Sequence, residues 1–307
     1  MADAPQPRDG LVVAGYGRHV SVETSEGLLV TCHPRGKRSE AVVGDRVRWQ
    51  PSMDEGRLES ILPRRNLFFR QDDVRMKSFA ANLDQLLVMV AAVPEYSDTL
   101  LAHAMIAAQA QKIPTLITLN KSDLSREFDQ AWARLAPYRR MGCTVLGISL
   151  KHDAENALAE LRRLTHGKAT LLIGPSGSGK SSMINRLVPG AAVHIDRLTR
   201  SLNSGRHTTT RTTWHWIDRA NGSALIDSPG FQAFGLHHLD PAGLAHCMPD
   251  FEPYLGHCRF HNCSHLHEPG CAVMQAVTLT EQSQGISPAR HAIYASLHQS
   301  LAQAPRY

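Results

Sequence analysis

From Leu11 to about Pro63 the apolar residues come in short runs, LVVA, HVSVET, LLVTCH, DRVRWQ and RLESIL, broken by turns such as Gly44-Asp45 and Glu55-Gly56. Runs of that length and spacing predict five strands and a small closed barrel. From Leu86 the rhythm changes. Apolar runs at 86–93, 115–119, 144–148, 169–173 and 223–226 are separated mostly by helical patterns, DTLLAHAMIAAQAQK and DQAWARLAPYRR among them. Buried strands alternating with helices predict a parallel sheet with helices on both faces. After Leu236 the strand signals stop, and in SPARHAIYASLHQSLAQ the residues Ile293, Leu297 and Leu301 recur every four positions, which predicts an amphipathic helix. The chain has no internal repeat and no extended low-complexity tract.

At 307 residues and 42% hydrophobic content there is material for two or three domains, each with its own core. The longest apolar run, LLVMVAAV at 86–93, is too short to span a bilayer, and MADAPQPRDG lacks an apolar stretch after a basic start. The expectation is a cytoplasmic, untargeted protein with no membrane partner. A formal charge of +5 allows a polyanionic partner without identifying one. Cys258, Cys263 and Cys271 fall within fourteen residues, whereas Cys32, Cys143 and Cys247 are scattered. In a cytosolic protein such a cluster points to metal, not to disulfides.

GPSGSGKSS, residues 174–182, fits the phosphate-loop pattern G-x-x-x-x-G-K-[ST], between a strand candidate, ATLLI, and a helix start, SSMINRLV. Its backbone from Gly174 through Pro175, Ser176, Gly177, Ser178 and Gly179 would curl N–H groups toward phosphate oxygens, with the following helix adding its positive end. Lys180 would neutralise the β and γ phosphates, Ser181 would place its hydroxyl on Mg²⁺, and Ser182 follows in the same turn. In ALIDSPG, Asp227 ends a buried strand where a carboxylate holds the metal through water, and the Gly230 N–H would meet the γ-phosphate.

NKSD, residues 120–123, follows the apolar run TLITL and reads the base. Asp123 can accept from the N1–H and 2-amino donors of guanine. Adenine has no such donor pair and would leave a buried carboxylate unpaired. Asn120 would bridge loops and face the base, the Lys121 stem would pack along it, and Ser149 in ISLK stands where a Ser-Ala-Lys loop touches guanine. The base reader thus precedes the phosphate loop, so the GTPase domain is circularly permuted. A sheet tolerates this where the original termini lay close together. Asp227 to Gly230 then lead directly into the C-terminal module.

CRFHNCSHLHEPGC gives Cys258-x₄-Cys263-x-His265-x₅-Cys271, a tetrahedral Cys₃His set for one structural zinc, with His257, His261 and His267 as competitors for His265.

The permuted order, the preceding barrel and the following Cys-Cys-His-Cys cluster together resemble the ribosome small subunit-dependent GTPase A family (RsgA, also called YjeQ). The resemblance covers nearly the whole chain through NLDQ, LNKSDL, GPSGSGKSSMINRL, GRHTTTR, LIDSPGF and C-x₄-C-x-H-x₅-C. It departs mainly in the partial base loop ISLK and the second serine pair of GPSGSGKSS. It implies a multidomain fold: an N-terminal OB-type β-barrel over 1–69, a central α/β circularly permuted P-loop GTPase domain over 70–235, and a C-terminal, mainly helical zinc-binding domain over 236–307. It also implies a monomer that binds GTP and GDP, magnesium with GTP, and the small (30S) ribosomal subunit with its rRNA. The subunit would stimulate hydrolysis that is slow alone, during late maturation.

By the same resemblance His207 positions the attacking water, and Thr208 or Thr209 closes on Mg²⁺. Independently, Phe231 follows the D-x-P-G glycine, and an apolar side chain cannot orient water, so another group must; Gln232 is the competitor of His207. Arg35, Lys37 and Arg38 in HPRGKR are the candidates for RNA phosphate contact, with Arg64, Arg65 and Arg70 flanking Phe68 and Phe69, and Arg197, Arg200, Arg206 and Arg211 on the switch segment. For the two phenylalanines interdomain packing is the preferred reading over base stacking. Two other functions fit parts of the chain: an RNA-docking scaffold that holds GTP with little hydrolysis, and an ATP-using P-loop protein.

Overall fold

The computed structural model describes residues 6–34, 36, 40–52, 55–72, 76–191, 211–229, 234–278 and 285–303. Five strands form the barrel: β1 (Arg8–Gly15), β2 (Val20–Thr24), β3 (Leu29–His33), β4 (Arg46–Ser52) and β5 (Glu55–Ile61). The order β1-β2-β3-β5-β4 closes through a β1–β4 pairing. Alternate residues, Val20 and Val22 on β2 and Val47 and Trp49 on β4, point inward to a core shared with Val12, Cys32 and Leu58.

The barrel's exit is fastened by ion pairs. Arg64 grips Asp45 through Nε at 2.7 Å and Nη2 at 2.8 Å. The Asp45 side chain is fully buried. Arg65 reaches Asp84 at 2.9 Å. These two arginines, read from sequence as flanking Phe68 and Phe69, therefore join the barrel to the central part of the chain. A hairpin of β6 (Leu67–Gln71) and β7 (Met76–Ala81) comes next. It was not predicted, and it buries Phe68 completely against Phe79 and Phe234, at ring distances of 5.7 Å and 5.5 Å.

The central sheet runs β8 (Gln85–Ala91), α1 (Asp98–Ala110), β9 (Thr115–Asn120), α2 (Ser125–Arg134), α3 (Ala136–Arg140), β10 (Thr144–Ile148), α4 (Ala154–Thr165), β11 (Ala169–Ile173), α5 (Lys180–Leu187), β12 (Thr213–Asp218) and β13 (Ser223–Asp227). In space the strands lie β10-β9-β8-β11-β13-β12, all parallel except β12. Every residue of β8 is buried because both faces are covered. Leu86, Val88 and Val90 face Leu101 and Ile106 of α1, while Leu87 and Met89 share the other core with Leu161, Met183 and Ile184. Among the described residues one pair, Ala14 with Thr213, continues the sheet into the barrel.

DQAWARLAPYRR is two helices, not one. Pro137 stands at the first turn of α3 and cannot donate within a helix, so the chain breaks at Leu135. Beyond β13 no strand follows among the described residues. Short 3₁₀ turns at Pro241–Cys247 and Glu252–Tyr254 precede α6 (Ala272–Thr278) and α7 (Pro288–Gln303). The buried stripe of α7 is Arg290, Tyr294, Leu297 and Leu301, so Tyr294 replaces the predicted Ile293, which is half-buried. Arg290 pairs with Asp250 at 2.7 Å and 2.8 Å and stacks over Tyr138 of α3. No helix among the described residues is long and apolar enough to cross a membrane.

Candidate nucleotide site and metal centre

The parallel strands end together. Ala91 lies beside Asn120, Asn120 beside Ile148, Val88 beside Ile173 and Leu172 beside Asp227. The loops leaving this carboxyl edge carry Asn120–Asp123, Ser149, residues 174–182 and Asp227, and open parallel sheets bind ligands outside that edge.

Gly174 and Gly179 shape the loop between β11 and α5. At Gly174 a Cβ would stand 2.1 Å from the Met89 carbonyl oxygen. At Gly179, with φ +108°, it would stand 2.4 Å from Asn120 Nδ2. No other residue fits either position without moving backbone or the asparagine. Pro175 is half-buried, Ser176 and Gly177 are exposed, and Ser178 is buried, with its hydroxyl donating to Pro175 O at 3.0 Å. Ser181 and Ser182 are half-buried in the first turn of α5. Lys180 is 9% exposed and folds back over the loop, donating to the carbonyls of Gly174 at 2.8 Å and Pro175 at 3.0 Å. Burial pushes its ammonium down to about 8, against the opposing pull of Asp227. The loop thus surrounds a cation with neutral dipoles and leaves it poised for an anion. Asp227 is 3% exposed, and the next side chain, Ser228, donates to Leu172 O at 3.1 Å.

Asn120 ties the two halves of this edge together. Its Nδ2 donates to Ser178 O at 3.0 Å and its Oδ1 accepts from the Leu150 N–H at 3.2 Å. Lys121 adopts φ 71°, and its Nζ donates to Val93 O. Ser149 donates to Asp123 Oδ1 at 2.7 Å, and that bond holds the Asp123 carboxyl below the usual carboxylate range. His152 stands 3.7 Å from the other oxygen. Segment 92–94 is a brace that sequence reasoning missed: its Val93 carbonyl receives Lys121, and Pro94 lies under Gly177.

His207, Thr208, Thr209, Gly230, Phe231 and Gln232 lie outside the described residues, as do Arg35, Lys37, Arg38, Arg197, Arg200 and Arg206.

In the C-terminal module the ligand atoms of Cys258, Cys263, His265 and Cys271 all lie within 4.8 Å of one another, a set able to hold a metal ion. Of the four histidines considered, His265 enters the group; His257, His261 and His267 stay outside it. Its Nδ1 is 3.5 Å from the sulfurs of both Cys258 and Cys271, which are 3.9 Å apart. Three residues with no sequence signal shape this loop. Glu268 accepts from the Ser264 N–H at 2.7 Å and hydroxyl at 2.5 Å, and from the N–H groups of Leu266 and His267 at 3.2 Å and 3.3 Å. Burial opposes its ionisation, but the bonds from Ser264 and its neighbours hold it well below the carboxylate range. From α7, Tyr294 donates to Ser264 O and His291 Nε2 to His265 O, both at 2.8 Å.

The RsgA GTPase family model matches residues 61–237, more than half of the chain. This chain belongs to the RsgA GTPase family. An RsgA relative from Variovorax paradoxus, named a small ribosomal subunit biogenesis GTPase, is 55% identical, the match covering 96% of this chain and 93% of the relative. A relative of the same name from Paraburkholderia xenovorans is 48% identical over 97% of this chain and 94% of its own. Among solved structures, YjeQ from Thermotoga maritima superposes with a TM-score of 0.74 at 28% identity, covering 98% of this chain and 100% of that one. YloQ, described as a circularly permuted GTPase, does so with 0.71 at 26% identity, covering 100% and 99%. The RsgA fold therefore extends across barrel, sheet and metal module alike.

Proposed function

We propose that this chain is a GTP hydrolase of small ribosomal subunit biogenesis, stimulated by the subunit it serves. The observation that carries the reading is the single sheet edge where a guanine-competent carboxylate, Asp123, is linked through Asn120 to a phosphate loop and Lys180. Asp123, already oriented by Ser149, would take the N1–H and 2-amino donors of guanine; Asn120 and Lys121 would flank the base, and ATP would leave the carboxylate unpaired. Lys180 would leave its two carbonyls for the β and γ phosphates, which the loop from Gly174 to Ser182 would cradle. Ser181, Asp227 and one of Thr208 and Thr209 supply oxygens of the kind magnesium takes, and that ion would neutralise charge between β and γ phosphates. Gly230 would sense the γ-phosphate, and His207 would position water.

The Cys₃His set fits one structural zinc. With Zn–S near 2.3 Å and Zn–N near 2.0 Å, a tetrahedron places sulfurs ~3.8 Å apart and sulfur and nitrogen ~3.5 Å apart, close to the 3.9 Å and 3.5 Å found among Cys258, Cys271 and His265. The three-part division at 1–69, 70–235 and 236–307 is part of the same proposal. Its first limit falls inside β6, which makes the hairpin a joint between modules. Arg35, Lys37 and Arg38 are proposed to touch rRNA phosphates, and the protein to act as a cytoplasmic monomer.

Co-sedimentation tests the partner: with a non-hydrolysable GTP analogue the protein should pellet with small subunits and not with large ones. Equal pelleting with both would remove the assignment. His207→Ala should keep GTP affinity and lose at least about 100-fold in subunit-stimulated turnover, the scale of a lost general catalytic group; unchanged turnover would move the role to Gln232.

Lys180 sets a pH dependence. Free, it loses its proton near pH 8. A bound β-phosphate, of GDP or GTP, holds it charged, so the complex carries more protons than the free protein above that pH. Affinity then falls as pH rises, by up to about tenfold per pH unit. Titration with GDP between about pH 7 and 9.5 checks this, with Lys180→Met as the variant expected to bind weakly and without that slope.

A further inference from the structure

Among the described residues β12 shares one backbone register pair with the barrel, Ala14 with Thr213. Three side-chain contacts are strung along the same strand. Just before it, the Arg211 guanidinium lies over the Tyr16 ring at 4.7 Å. Within it, Trp216 Nε1 donates to Glu23 Oε2 at 2.8 Å. Just beyond it, Arg219 pairs with Glu23 Oε1 at 2.5 Å. The Glu23 side chain is only 7% exposed. The turn between β2 and β3 closes over this pair: Gly27, at φ +84°, leaves room where a Cβ would stand 2.4 Å from Arg219 Nη1.

A carboxylate buried to that degree is tolerated only where charge and hydrogen-bond partners are supplied. For Glu23, a barrel residue, both come from β12 and the turn after it. β12 lies at the barrel side of the central sheet, beside β13, and begins three residues after Thr210, so it follows in sequence the segment carrying His207, Thr208 and Thr209. Through these contacts the barrel is fastened to the strand that follows that segment in sequence.

We infer that Glu23 is a positioning residue that couples docking of the barrel to the hydrolytic segment, by clamping β12 through Trp216 and Arg219. The inference rests on the subunit-stimulated reading above. It assigns to the barrel a part in turnover beyond adhesion. Glu23 belongs neither to the nucleotide edge nor to the Cys₃His set, so breaking the clamp leaves the unstimulated enzyme intact and removes only what the subunit adds.

The test uses the full chain with Glu23→Ala, Glu23→Gln and Arg219→Ala. Three quantities are read: tryptophan emission, hydrolysis without subunits, and hydrolysis at saturating small subunits. Glu23→Ala should shift emission to the red, leave GDP affinity and basal turnover within about twofold, and lower stimulated turnover about tenfold, an ordinary coupling strength. Glu23→Gln still accepts from Trp216 and should lose less; Arg219→Ala should fall between. Undiminished stimulation despite the emission shift overturns the inference, as does an equal loss of basal and stimulated turnover. If Glu23→Ala does not fold, the same two criteria apply to Glu23→Gln and Arg219→Ala. A wild-type protein that small subunits fail to stimulate overturns the underlying reading and the inference with it, and is told apart by the wild-type control alone.

Discussion

Asp123→Asn should lower GTP and GDP affinity by about 100-fold or more, and should make xanthosine triphosphate the better ligand. The carboxylate offers two acceptors to the two donors of guanine. An asparagine presents one acceptor and one amide donor, so the guanine 2-amino group meets an N–H, whereas xanthine offers an oxygen there and keeps its N1–H. Ser149 already holds the residue at 2.7 Å, so the swapped side chain stays in place and the change is one of pattern, not position. Competition of fluorescent GDP by GTP, ATP and xanthosine triphosphate reads the effect. A variant that still prefers GTP would show that Asp123 does not read the base.

Removing the metal should have an effect of comparable size on folding, confined to one part of the chain. Binding of structural zinc by such sets contributes on the order of 10 kcal/mol, and the loop from Cys258 to Cys271 has little core of its own. Burial raises the thiols of Cys263 and Cys271, so without a cation the group reverts to protonated sulfur with no mutual attraction. Chelation, or Cys271→Ser, should therefore expose the amides of residues 255–278 to exchange. Since Tyr294 and His291 hold that loop from α7, protection on α7 should fall as well. GDP binding should persist, because the nucleotide edge is built from the sheet and its two cores. Full protection of the loop after metal removal would assign its stability to Glu268 and α7 alone.

Much of this was legible in the chain because its signals are local. β8, β9 and β11 are almost wholly buried on both faces and so read as mainly apolar runs without alternation, and the phosphate loop and base reader are short contiguous patterns whose order reveals the permutation. The metal set was equally visible, since its four ligands lie within fourteen residues. What escaped depends on distant partners. TWHWID, the strand β12, is half-buried from Thr213 to Ile217 with Asp218 exposed, and mixes Trp with His and Asp, so neither periodicity nor composition marks it. The β6–β7 hairpin makes sense only once Phe68 meets Phe234, far along the chain. Tyr294 displaces Ile293 from the buried stripe because its hydroxyl has a carbonyl to bond at Ser264. Glu23 and Glu268 look like solvated charges until the fold supplies Trp216 and Arg219 to one and four hydrogen bonds to the other.

The most direct measurement of the central claim is multiple-turnover GTP hydrolysis by the purified protein, alone and with stoichiometric small ribosomal subunits, with large subunits as the control. Slow turnover alone and a large increase with small subunits only is the predicted result. Turnover that is the same in all three conditions would contradict it, leaving a guanine-nucleotide site without a ribosomal trigger.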